Sequence, residues 1–378
     1  MNVNILVFNV GSTTLKFACL EMPSGKKLSR GTVDRIGQPG GDAVDHLSAA
    51  ELALQRHAGL DIAAIGHRIV QGGDRFSSPT LVNAEVLRDL IKLDELAPLH
   101  NPSARSVVQA IADSGLITPQ VLVFDTAYYS TLAPKAYRYA IPESIYRQYA
   151  VRRYGAHGTS HCFVTHKALA HLQGPSSGKR IISLHLGGGA SATASVGGIA
   201  VETSMGMTPL EGLVMATRSG DLDPSVPLHL MRRAGMSVEE IDKLLNKQSG
   251  LVGLCGEPDM RAILRRREAG DTAAILAIDV YVHRLLKTIG GYIAILGGLD
   301  ALVFTAGVGE NASQIRQLVT APLAHFGIAI NPDRNEAARC SGEVIDLSSM
   351  NATVRTLVVP TDEEHAIAEQ TASLLRKH

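Results

Sequence analysis

Short apolar runs recur along the chain and set its frame. Val3–Phe8, Ile65–Val70, Val121–Phe124, Ile181–Leu186, Leu302–Thr305 and Val354–Val359 read as buried strands. They are continuous rather than alternating, as expected when both faces of a sheet are covered. Helical stretches lie between them. Asn101-Pro102 reads as an N-cap with a first-turn proline, followed by Val107, Val108 and Ile111 on one face and Gly115 as the stop. Ser237–Glu240 has the form of a capping box, with Met236 and Ile241 as its hydrophobic staple. Asp271 opens a longer helix striped by Ile275, Ile278, Val282, Leu285 and Leu286. Thr361–Glu364 is a second box, at the start of a C-terminal helix. Strands alternating with helices predict an α/β architecture. The apolar stretch Gly290–Gly309 holds Asp300 and six glycines, so it divides into a helix end, a turn and a strand rather than a membrane span.

The pattern also hints at duplication. Ile5-Leu-Val-Phe-Asn9-Val-Gly11 and Ile181-Ile-Ser-Leu-His185-Leu-Gly187 share one form, and each continues into a run that can return as a hairpin, Leu15–Leu20 and Ser191–Val196. Val121–Phe124 resembles Ala301–Phe304 in the same way. Asn9 and His185 lie 176 positions apart, Phe124 and Phe304 180. Near-equal offsets predict two similar α/β lobes, and a cleft between such lobes is a natural ligand site.

Composition narrows the function. With 378 residues, 45% apolar and 19% charged, the chain can build two domains with packed cores. Lys plus Arg and Asp plus Glu are 36 each, so no positive excess predicts a nucleic-acid or anionic-membrane partner. There are 36 glycines against 4% aromatics and no Trp, which favours tight turns and close backbone approaches over base-stacking surfaces. Cys19, Cys162, Cys255 and Cys340 are scattered and read as thiols of a reducing, cytoplasmic compartment. The first residues lack the basic region of a signal peptide.

Three glycine-rich turns follow apolar strands: Asn9–Thr14, His185–Gly189 and Gly307–Asn311. Such turns let backbone amides approach phosphate oxygens. A Walker A loop is absent; Gly174–Arg180 is one residue short and lacks the final Ser or Thr. Gly307–Ala312 matches a dinucleotide fingerprint but lies too late in the chain for a Rossmann unit. Arg68 inside an apolar strand is either half of a structural ion pair or a fork for a carboxylate or phosphate. Arg218, in a glycine-containing loop, has a surface pair with Asp221 or Asp223 as its alternative. His157 and His161 are four apart, but the glycines around His157 oppose a zinc helix. Asp125 ends a buried strand, as an N-cap or a functional acid. Glu363 opposes a helix dipole or faces a cation.

Nine segments together resemble the acetate kinase family: Asn9–Lys16, Gly66–Val70, Leu96–Pro102, Phe124–Ala127, Arg153–His161, Thr208–Met215, Thr217–Pro224, Phe304–Asn311 and Pro360–Glu364. The resemblance implies two lobes of duplicated ribonuclease H-like fold, that of sugar kinases, Hsp70 and actin, around a central cleft. One lobe would be 1–126 plus 361–378 and the other 127–360, the second forming the interface of a homodimer. It implies that Asn9 and Glu363 hold Mg²⁺, with Mn²⁺ as a substitute. Lys16, His185, Leu186, Gly187, Gly188, Gly189, Asp259, Met260, Arg261, Gly307, Val308, Gly309, Glu310 and Asn311 would line ATP or ADP. Arg68 would bind the substrate carboxylate. Val70, Leu99, Ala156 and Pro209 would surround its alkyl group, with His100 nearby. Asp125, His157 and Arg218 would be catalytic. The chain departs from the family pattern at Gln71 (usually His), Gly188 (Asn), Ala156 (Phe), Ala216 (Gly) and Glu202 (Asp).

A carboxylic acid with a pKa of about 4–5 is already ionised at pH 7, so the nucleophile needs no base. The difficulty is charge repulsion, and the cations supply its remedy. The expected reaction is reversible in-line transfer from ATP to acetate. The alternatives are propionate or butyrate as acceptor, pyrophosphate as donor, or a non-catalytic nucleotide-binding regulator of the same fold.

Overall fold

The computed structural model describes residues 2–11, 13–97, 100–339 and 342–376. The chain divides into two compact units, one of Met1–Ser130, Ala156–Ser160 and Asp362–His378, the other of Thr131–Gly155 and His161–Thr361.

In the first unit, β1 (Val3–Val10), β2 (Leu15–Met22) and β3 (Lys26–Val33) form an antiparallel meander. β4 (Ile62–Ile69) runs parallel to β1, and β6 (Gln120–Phe124) parallel to β4. A two-residue edge strand, β5 (Thr80–Leu81), pairs antiparallel with β6, giving the order β3-β2-β1-β4-β6-β5. Each central strand feeds two cores, because successive side chains point to opposite faces. Leu6, Phe8, Ile65 and Leu122 pack under Val107, Val108 and Ile111 of the Asn101–Asp113 helix. Ile5, Val7, Val121 and Val123 pack under Ile367, Ala368 and Ala372 of the Glu363–Leu375 helix. Gly66 admits that last helix: a Cβ there would lie 2.5 Å from Thr371 Oγ1 and 2.9 Å from Ile367.

The second unit repeats the plan. β7 (Arg180–Leu186), β8 (Ala190–Val196) and β9 (Ile199–Thr203) form the meander; β10 (Ala301–Thr305) and β12 (Arg355–Val358) extend it in parallel, and β11 (Ile345–Asp346) is the antiparallel edge. The order is β9-β8-β7-β10-β12-β11, strand for strand that of the first sheet. The α/β class and the duplication are therefore as expected, but one equivalence changes. Topology matches β10 with β4, and β6 with β12, so the likeness of Val121–Phe124 to Ala301–Phe304 pairs two strands that are not equivalent. Four-residue apolar runs are interchangeable at sequence level.

Two helix starts also shift. His100, not Asn101, is the N-cap of Asn101–Asp113. The buried Asn101 side chain instead accepts from Gln71 N and donates to Gln71 O and Leu93 O. At the C-terminal helix the cap is Asp362, which accepts from His365 N, while Glu364 pairs with Lys27. The Ser237 capping box and the Asp271 cap form as read. Gly290–Gly309 resolves into the end of the Thr272–Leu296 helix, a left-handed turn at Gly297, and β10. Among the described residues no helix is long and apolar enough to cross a membrane.

Candidate active site

Strand alternation builds the cluster of the first unit. β1, β4 and β6 are parallel, so their C-terminal ends align, where open α/β sheets place ligands. Asn9 follows Ile5 and Val7 on one face of β1; Arg68 follows Ala64 and Gly66 on the same face of β4; Asp125 follows Val121 and Val123. That face carries the C-terminal helix, whose first residue is Glu363. Arg68 donates from Nε (3.1 Å) and Nη2 (2.6 Å) to Asp125 Oδ2, and from Nη1 to Asn9 Oδ1 (3.1 Å). Asn9 Nδ2 donates to Glu363 Oε2 (3.1 Å), which lies 3.8 Å from Arg68 Nε. Burial lowers the guanidinium pKa, but Asp125 and Glu363 outweigh it and raise the net value. Of the two readings of Arg68, the ion pair with Asp125 is the contact made here.

Asp125 is 1% exposed, and its Oδ1 accepts from Thr159 Oγ1 at 2.8 Å. Sequence reasoning passed over Thr159, although it sits in the Gly155–His161 string. Gly158 brings that loop against the strand end: a Cβ there would lie 2.0 Å from Asp125 O. His157, just before it, has φ +58°, a left-handed conformation uncommon outside glycine and concentrated at functional sites. Ala156 is buried, and its carbonyl accepts from Tyr129 Oη at 2.9 Å. Val70 and His100 are half-buried in the same unit, and Leu99 lies outside the described residues. Gln71 is buried, with Oε1 accepting from Gly73 N. Lys16 is exposed on β2, the ladder partner of Asn9.

In the second unit, a cavity of about 660 Å³ opens at the C-terminal ends of β7 and β10, the equivalent place. Gly187, Gly188, Asp259, Met260, Arg261, Gly307, Val308 and Asn311 line it as read. Leu251, Pro258, Leu264 and Gln314, which carry no motif, complete much of the wall. A Cβ on Gly188 or Gly307 would meet nothing within 4 Å, so these backbones face open space. Asp259 caps the Met260–Glu268 helix and pairs with Arg261, which holds its carboxyl down at about 2. Six expected residues are not among those lining the cavity: Lys16, which belongs to the first unit, and five of the second. His185 and Leu186 are buried, the Gly189 carbonyl accepts from Gly187 N, and the Gly309 carbonyl accepts from buried Arg316 Nη1. Glu310 also points elsewhere: its Oε1 accepts from Ala306 N and Thr361 N.

Arg218 forms neither of the surface pairs considered for it. Asp221 accepts from Gly212 N and Asp223 from Ser225 N. Arg218 donates through Nη1 to Pro209 O (3.0 Å) and touches Met215 Sδ (3.5 Å); no carboxylate among the described residues pairs with it. Burial lowers its pKa. Its loop reaches the glycine turn, since Ala216 N donates to Gly188 O. No cluster of three metal-binding side chains occurs among the described residues. Glu363 and the Asn9 amide oxygen, the latter taken here by Arg68 Nη1, are hard oxygen donors, the type that suits Mg²⁺, an ion that takes one or two carboxylates plus substrate phosphates.

A phosphotransferase is the class of protein that these features describe: a sheet plan used twice, cations and a carboxylate at one set of strand ends, a glycine-walled cavity at the other. The acetokinase family model matches residues 42–369. The acetate kinase of Streptomyces griseus subsp. griseus is 47% identical over 397 residues, covering 98% of this chain and 96% of that one. The crystal structure of Porphyromonas gingivalis acetate kinase superposes with TM-score 0.92 at 39% identity, over 99% of this chain and 100% of that one. A propionate kinase from Francisella tularensis gives 0.89 at 37% identity, over 97% and 98%. The chain belongs to the acetokinase family, kinases whose phosphoryl acceptor is a carboxylate.

Proposed function

We propose that the chain transfers the γ-phosphoryl group of ATP reversibly to acetate, giving acetyl phosphate and ADP. The observation that carries this reading is Arg218: a largely buried cation, on a loop bonded to the glycine turn, that lacks a carboxylate partner among the described residues. A transferring phosphoryl group supplies the missing anion, and desolvation strengthens that attraction. His157, held in its left-handed turn, donates to the same group. Asp125 accepts on both oxygens, so it orients Arg68 rather than acting as a base. Arg68 then presents its positive edge to the acetate carboxylate. Lys16, Gly187, Gly188, Asp259, Met260, Arg261, Gly307, Val308 and Asn311 receive the nucleotide, with His185, Leu186, Gly189, Gly309 and Glu310 supporting that wall. Val70, Leu99, Ala156, Pro209 and His100 enclose the acyl group.

Asn9 and Glu363 would hold Mg²⁺, which when bound neutralises phosphate charge. Residues 1–126 plus 361–378 form the metal and acyl lobe in this scheme, and 127–360 the nucleotide lobe. Leu276 and Ile295, each more than half exposed on the Thr272–Leu296 helix, favour pairing through the second lobe as a homodimer. Cys19, Cys162 and Cys255 form no disulfide among the described residues, which suits the cytoplasm.

Ala156 favours a second reading, propionate as co-substrate, because a buried alanine stands where the resembled family pattern has Phe. The test traps acyl phosphate with hydroxylamine. Purified protein with ATP, Mg²⁺ and acetate, propionate or butyrate should yield hydroxamate; absence of product with every acid, or product only with pyrophosphate, overturns the proposal.

A further inference from the structure

We propose that Glu310 is a positioning residue that couples occupancy of the glycine-walled cavity to the start of the C-terminal helix. The inference rests on the reading of the cavity as a nucleotide site and of Glu363 as part of the reacting centre.

The six-residue helix Ala306–Asn311 has two jobs. Gly307, Val308 and Asn311 wall the cavity, and Asn311 Nδ2 donates to Gly307 O, tightening that turn. Glu310, on the same helix, directs its carboxylate to backbone. Its Oε1 accepts from Ala306 N (2.9 Å), from Thr305 Oγ1 (3.5 Å) and from Thr361 N (3.0 Å). Thr361 is fifty-one residues away in sequence. It is also the last residue of the second unit; the next, Asp362, begins the final segment of the first. Asp362 caps the helix whose first residue, Glu363, accepts from Asn9 and approaches Arg68. One carboxylate oxygen thus joins the cavity wall to the peptide that leads directly into the Glu363 helix.

The wall is built to respond as a body. Ala306 has φ +62°, a left-handed turn that an alanine adopts only when its surroundings enforce it, and Glu310 is part of that enforcement. Buried Arg316 donates through Nη1 to Gly309 O and Glu310 O, fixing the far end of the helix. A ligand pressing on Gly307 and Val308 therefore moves Glu310 with them. Thr361 N must follow, or lose its acceptor.

Hydrogen exchange reads this coupling without catalysis. In the wild-type protein, saturating ADP in the presence of a chelator should slow exchange of amides 359–366 by roughly fivefold or more, beyond any change at the cavity itself. Glu310→Ala should abolish that distant protection even at ADP concentrations that saturate the variant, as fixed by its own Kd from titration calorimetry. Glu310→Gln, whose amide oxygen still accepts, should retain it. Should the alanine variant not fold, Glu310→Asp, one methylene short of Thr361 N, serves in its place with the same expectation. Protection that survives in the Ala and Asp variants overturns the proposal. So does wild-type ADP binding with no response at 359–366, an outcome that leaves the kinase reading standing. Failure of ADP to bind at all removes the nucleotide reading and the coupling together.

Discussion

Arg68 holds Asp125 by a single oxygen. Both Nε and Nη2 converge on Oδ2, and the second carboxylate oxygen is left to Thr159. Both oxygens of the acid are therefore engaged, and its neighbours decide both stability and turnover. Thr159→Val removes the donor to Oδ1 and should cost about 1–3 kcal/mol, because a buried acceptor loses its partner. Thr159→Ser should restore most of the loss. Chemical denaturation of the three proteins measures this; equal stabilities would detach Thr159 from Asp125.

Arg68→Ala should act twice. It should raise KM for the acid, the signature of a lost ground-state contact. It should also cost roughly 3 kcal/mol of stability, since it strands the buried Asp125 carboxylate. Adding Asp125→Asn to Arg68→Ala should recover stability without recovering activity. A double variant no more stable than the single one would contradict the pair as drawn.

Arg218 makes the opposite expectation. It is desolvated without a carboxylate partner among the described residues, so its charge is unfavourable in the folded protein. Arg218→Met should raise Tm slightly and lower kcat roughly 10³-fold or more, by analogy with other arginines that stabilise phosphoryl transfer. A lower Tm with unchanged kcat would return Arg218 to a structural role.

Glu363 separates two readings in one variant. If it only opposes the helix dipole, Glu363→Ala should cost about 0.3–1 kcal/mol and leave the metal titration unchanged. As a metal-holding residue it should sharply raise the Mg²⁺ concentration needed for activity. Melting and metal titration of the same preparation decide.

Stability should also fall in mild acid. Burial pushes the pKa of the His67 imidazole from 6.5 down to about 4, against a smaller opposing effect of the Gln120 side chain. The unfolded chain protonates this imidazole below 6.5 while the folded protein does not. Stability therefore drops as pH falls from 6.5 toward 4, by roughly 3 kcal/mol in all. His161, held between Ser183 and Ser191 and also lowered by burial, adds to the same slope. His67→Leu, packed beside Phe8, should flatten the slope but not abolish it. An identical pH profile in that variant would contradict the assignment.

Much of this arrangement is readable in the sequence, for identifiable reasons. The six central strands announce themselves because both of their faces are buried. The polar edge strand β3 does not, since most of Lys26–Thr32 is exposed or half-exposed and carries no apolar run. Asn9, Arg68, Asp125 and Glu363 stand out as polar residues at the ends of apolar runs or in the first turn of a helix. Thr159 does not, because its importance lies in a partner 34 residues away, and Glu310, named only with its glycine turn, gives no sign of its partner 51 residues away. Leu251, Pro258 and Leu264 are equally silent: apolar cavity walls look like ordinary core. Asn101 and Thr361 mislead: the Asn101 side chain is engaged by Gln71 and Leu93, and the cap of the last helix falls one residue later, on Asp362.

The direct test of the account is isotopic. Acetate labelled with ¹⁸O, ATP and Mg²⁺ are incubated with the protein and followed by ³¹P NMR. Direct attack of the carboxylate on the γ-phosphorus predicts acetyl phosphate whose phosphorus bears one ¹⁸O, formed in equal amount with ADP. Unlabelled inorganic phosphate as the sole partner of ADP, or no consumption of ATP, would contradict it.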